Sequence, residues 1–167
     1  MLVRIGPREC VAITMNTPHL SSWTQDDFES LSWHDNRIHA IAFTCPGDGY
    51  DYDLAFDIDY IIEWVKAPNG SFRFVVAPAT LVFCQARNIL IEARLNYREP
   101  PTIDRIERED ISTAADQKIY KPYRWTIFLH SLSKANNRIV LESAAFEQKL
   151  RKSPTTQDSQ WLEIKAR

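Results

Sequence analysis

Glycine is scarce in this chain: 167 residues contain only four. That scarcity argues against propellers and β-helices, whose repeats turn on glycine. Neither a glycine-rich phosphate loop nor a G-x-S-x-G nucleophile turn occurs. Cysteine is sparse as well. Cys10, Cys45 and Cys84 form no C-x-x-C pair, so the usual zinc and redox motifs are absent. The histidines show no H-x-H, H-x-x-x-H or H-E-x-x-H spacing. There is no basic excess: 20 Lys and Arg stand against 22 Asp and Glu, a net charge of −2. A nucleic-acid binder driven by bulk charge is therefore excluded. No apolar window approaches a membrane span, and Arg4, Arg8 and Glu9 interrupt any signal-peptide pattern at the start. Cys84 follows the apolar run Leu81-Val82-Phe83 and reads as a free thiol in the core, which predicts a reducing, cytoplasmic setting. No cofactor and no metal are expected.

What is present is strand pattern. Hydrophobic residues make up 44% and aromatics 11%, enough for one globular domain. Residues 1–22 lack periodicity and are expected to form a poorly ordered extension. Thr24 followed by Asp26 and Asp27 predicts a capped short helix carrying Phe28 and Leu31. Residues 37–44 alternate as a strand. Residues 50–65 do so more clearly: Tyr50, Tyr52, Leu54, Phe56, Ile58, Tyr60, Ile62 and Trp64 take one face, and Asp51, Asp53, Asp57, Asp59 and Glu63 the other. A strand that long predicts a bend or bulge within it.

Pro68-Asn69-Gly70 predicts a hairpin that sets Phe74 opposite Trp64 and Val76 opposite Ile62. Pro78 is expected to interrupt the return strand before a short strand at 80–85. Further strands are expected at 88–97, at 103–109 as a charged edge, at 123–129 and at 138–146. The fold class is mainly β: one domain over 23–152, an antiparallel sandwich or flattened barrel of roughly eight strands with one short N-terminal helix. Residues 153–167 read as a polar C-terminal tail from which Trp161 and Leu162 could dock.

The acidic side of 50–65 is the most unusual feature. Six acids and no base lie between Asp48 and Glu63. Same-face neighbours on a strand sit about 7 Å apart. Such a stripe suits a bridging divalent cation, a carboxylate pair for glycoside cleavage, or a docking face for a basic protein partner. It equally suits a solvated sheet face with basic neighbours such as Arg73. His34-Asp35 is the second candidate, as an oriented base or ligand pair that His39 and His130 could join in space. The alternative is that Asp35 and Asn36 form a turn while His34 bonds nearby backbone. The binding candidates are thus Asp51, Asp53, Asp57, Asp59, Glu63, His34 and Asp35. No residue is assigned a catalytic role.

Three blocks carry a resemblance: Trp33-His34-Asp35 with IHAI after it, DLAFDIDYIIEW at 53–64, and FRFVVAPATLVF at 72–83. Together they resemble a group of small bacterial proteins without an assigned activity, over roughly residues 28–150. The resemblance implies a compact cytosolic β-rich domain. Some members of such groups look like immunity proteins of contact-dependent toxin systems, which is analogy at the level of fold. The expected function is non-enzymatic binding, with a basic partner on the acidic face and neither nucleic acid nor membrane involved. The alternatives are a hydrolase-type enzyme using a carboxylate or His-Asp site, and a barrel with an aromatic-lined ligand cavity.

Overall fold

The computed structural model describes residues 21–45, 52–94, 100–113, 121–130 and 136–167. Its strands are β1 (Ser22–Thr24), β2 (Asn36–Thr44), β3 (Asp53–Lys66), β4 (Phe72–Cys84), β5 (Arg87–Glu92), β6 (Thr102–Asp110), β7 (Tyr123–Leu129), β8 (Arg138–Ser143), β9 (Ala145–Leu150) and β10 (Thr155–Gln157). Among the described residues they form one antiparallel sheet in the order β1-β9-β4-β3-β2-β6-β7-β8-β5, with β10 also on β4. Ala144 alone separates β8 from β9, so one bent strand pairs with β7 and then with β4. That continuity curls the sheet into a flattened barrel.

The even residues of β3 face inward as alternation demands: Leu54, Phe56 and Ile58 are fully buried. Rings fill the centre. Trp125 on β7 meets Phe83 on β4 at 5.4 Å and Phe146 on β9 at 5.5 Å between centroids, so side chains rather than a cavity occupy the middle. The indole N–H of Trp125 donates to the Ser143 carbonyl at 2.9 Å, and that of Trp33 to Gln148 Oε1 at 2.7 Å. Thr24 caps a 3₁₀ turn, Gln25–Ser30, that presses Phe28 against Trp33 and Trp125.

The hairpin register holds at Trp64 and Phe74 but not one step on. Val76 pairs with Ile61, because Ile62 is the extra residue of a β-bulge. The Ile61 N–H donates to the buried Asn36 side chain at 3.1 Å. Beyond the bulge the alternation inverts, and Ile62 and Trp64 turn outward.

Pro78 does not break β4. It falls in the gap between β9, which ends at Leu150 opposite Ala79, and β10, which begins at Thr155 opposite Val76. Its carbonyl accepts from the Arg151 N–H at 2.8 Å. The N and C=O of one strand residue point the same way, so the missing donor faces that gap.

β6 pairs with β7 along its length but with β2 only at Thr102 and Ile103, so among the described residues its charged part, Arg105 to Asp110, has a strand on one side alone. Within 153–167, β10 extends the sheet, and Leu162 docks as expected, buried with Ile61, Phe74 and Val76 over the outer face of β3 and β4, while Trp161 stays exposed. Cys84 is disulfide-bonded, which corrects the free thiol and removes the argument for a reducing compartment; Cys45 is a free, exposed cysteine. The expected extension and the turn at 46–49 lie outside the described residues, apart from Ser21 and Ser22 at the end of the former. Among the described residues no helix is long and apolar enough to cross a membrane.

Replacing Trp125 by Ala removes the largest fully buried side chain of the core. The expected loss is about 3–5 kcal/mol of unfolding free energy. Chemical denaturation checks this, and a loss below about 1 kcal/mol would contradict the packing described.

Candidate metal centre

The acidic face is not open. Asp53 accepts from the Gln85 N–H at 2.8 Å. Asp57 is paired with Arg151 and Arg167. Asp59 has no exposed side-chain surface; it bonds His39 Nε2 at 2.8 Å, the Leu162 N–H at 2.9 Å, and Arg167. Asp51 lies outside the described residues, and Glu63 is exposed. Two aspartates of the expected docking face, Asp57 and Asp59, thus already have cationic partners within the chain. Residues 151–167 supply the counter-charges from within the chain, and a buried carboxylate must have them. Nor does the stripe join His34: His39 goes to Asp59 instead.

His34 and Asp35 meet other partners. They occupy the turn before β2, where Asp35 takes a left-handed backbone conformation (φ 62°) that aspartate tolerates better than most residues. The Asp35 N–H donates to the Ile103 carbonyl at 2.9 Å, and the His130 N–H to the Thr102 carbonyl at 2.8 Å. These two bonds hold the turn and the end of β7 against the start of β6. There the register shifts between Ile103 and Arg105, so Asp104 is the bulged residue. A bulge re-aims a side chain, and here it sends Asp104 Oδ1 to 3.7 Å from His34 Nδ1 and 3.8 Å from His130 Nε2.

Tautomers follow from partners. His34 Nδ1 lies 3.0 Å from the Asp104 carbonyl oxygen, which can only accept, so Nδ1 carries the proton. That leaves the Nε2 lone pair facing Asp35 Oδ2 at 3.7 Å. By the same rule His130 Nε2, 2.9 Å from Asp35 Oδ1, carries a proton in this arrangement, which an ion would have to displace. Gln160 Nε2 donates to Asp35 Oδ2 at 2.9 Å and steadies the carboxylate. One donor atom from each of His34, Asp35 and His130 lies within 4.8 Å of the others.

A tetrahedral ion with ligands at about 2.0–2.1 Å needs donors about 3.4 Å apart. The contacts of 2.9 Å from His130 and 3.7 Å from His34 run to the two different oxygens of Asp35, on either side of that value, and one donor atom from each residue lies within 4.8 Å of the others. A ligand imidazole bonded to a carbonyl through its other nitrogen is the usual outer-shell arrangement.

Of the sequence candidates, then, the fold brings His34 and Asp35 together with His130, leaves His39 on Asp59, and adds Asp104 and Gln160. Neither Asp104 nor Gln160 carries a local signal. Comparison with protein-family models, curated proteins and solved structures yields no match.

The ion pairs of Asp57 have a pH signature. Burial raises its affinity for a proton, but hydrogen bonds and charge from Arg151 and Arg167 outweigh burial and hold its carboxyl below the ordinary aspartate value. The unfolded chain therefore keeps that proton more tightly than the folded one. The resulting stability is complete above about pH 4 and drains away as pH falls through the lower folded value. Asp57→Asn is expected to flatten the acid limb of the stability curve below about pH 4. Thermal melts of both proteins from neutral pH downward check it, and parallel acid limbs would refute the pairing.

Proposed function

We propose that this protein is a non-enzymatic binding protein whose site is a divalent transition-metal centre built from His34, Asp35 and His130, with Asp104 beside it. The observation that carries the reading is the convergence of the adjacent pair His34-Asp35 with the distant His130. Mixed imidazole and carboxylate donors suit zinc and its first-row neighbours better than calcium or magnesium, which prefer all-oxygen shells. Exposure supports it too: His34 and His130 keep about half their side-chain surface accessible, 53% and 43%, so an ion can enter. A basic protein partner receives less support, since two of the four described acids of the stripe, Asp57 and Asp59, are neutralised internally.

The test is titration of the full chain with Zn²⁺ by calorimetry, with Cys45→Ser as background to remove the exposed thiol. One ion per chain is expected. His34→Ala and His130→Ala should each weaken it by at least about tenfold, a loss of about 1.4 kcal/mol. Affinity should fall in acid, because a ligating imidazole must give up its proton. Binding that survives both substitutions would end the proposal.

A further inference from the structure

The ion site has a neighbour that core packing does not require. The His34 imidazole stacks on the Trp64 indole, with ring centroids 6.3 Å apart and planes inclined by 22°. Trp64 is held in place by Phe74 and Phe72, which meet it edge-on at 5.0 and 5.9 Å. It nevertheless remains 42% exposed and Phe72 46% exposed, and Ile62 beside them is exposed as well. Uninterrupted alternation would have carried Trp64 inward with Leu54, Phe56 and Ile58. The bulge at Ile62 turns it out and places it against a candidate metal ligand.

Charge narrows what could bind there. A divalent ion held by Asp35 and two neutral imidazoles keeps one positive charge. The nearby Asp104 carboxylate pairs with Arg105 at 2.6 Å, a guanidinium it shares with Glu107 at 2.7 Å. Three protein donors leave at least one coordination position for an outside ligand. The open position suits a carboxylate oxygen, a usual ligand of zinc, while the adjacent surface carries the exposed rings of Trp64 and Phe72. Neutral sugars would use the ring surface but not the charge, and inorganic anions the charge but not the ring.

We propose that the metal-loaded site binds small aromatic carboxylates: the carboxylate completes the coordination of the ion and the ring packs on Trp64 and Phe72. This rests on the metal reading above. An aromatic pair adds preference beyond the area it buries. Benzoate should therefore bind about fivefold or more tightly than acetate, which offers the same donor without the ring.

The experiment titrates the Zn²⁺-loaded full chain with benzoate and with acetate by calorimetry, and repeats both on Trp64→Ala and Trp64→Leu, the second in case the first fails to fold. A parallel Zn²⁺ titration of each protein reads the ion site by itself. The expected result is a benzoate preference in the parent that collapses towards unity in the variant and is absent from metal-free protein. If the parent takes up no Zn²⁺, the metal reading falls and this inference with it. If Zn²⁺ binds but benzoate and acetate bind alike, or the preference survives in the variant or without metal, this inference alone is overturned.

Discussion

A carboxylate shut away from water organises one side of this molecule. Asp59 has no exposed side-chain surface, and an ion in that position is tolerable only with partners on every side. They come from far along the chain: His39 on β2, the Leu162 N–H and Arg167. Meeting that demand draws residues 158–167 back over β3 and β4. The same fold-back buries Leu162 against Ile61, Phe74 and Val76, and it delivers Gln160 to Asp35. The clasp that neutralises the acidic stripe therefore also steadies a ligand of the candidate metal centre.

Two irregularities in otherwise regular ladders place the functional groups. The bulge at Asp104 lets a β6 residue lean towards His34 and His130, and its carbonyl sets the His34 tautomer. The bulge at Ile62 reverses the facing of β3 and brings Trp64 to the surface beside His34. An unbroken sheet would have kept Asp104 in register and Trp64 in the core. Bulges commonly collect next to binding sites because they re-aim side chains without dismantling the sheet.

Much of the architecture was legible because it is local. Strict alternation identified β3, Pro68-Asn69-Gly70 identified the hairpin, and Gly70 indeed takes the left-handed conformation (φ 85°) that such a loop requires. Thr24 caps its turn as its spacing suggests. Illegible features were those set by distant partners. The alternation of 50–65 says that Asp59 leaves the inner face; it cannot say that a segment a hundred residues later covers the outer one. Charge along 103–109 suggested an edge; it did not show that β2 covers the first two residues of β6, Thr102 and Ile103. Within the site, His34-Asp35 stood out as an adjacent pair, while Asp104 and His130 joined it only through long-range ladders. Their separations in sequence match no metal motif, since such motifs describe ligands on one local element.

The most direct measurement is anomalous X-ray diffraction at the zinc edge on crystals grown with Zn²⁺. The account predicts a single strong peak between His34 Nε2, His130 Nε2 and the Asp35 carboxylate, with ligand distances of about 2.0–2.2 Å. A peak at Cys45, or no peak with His130 still bonded directly to Asp35, would contradict it.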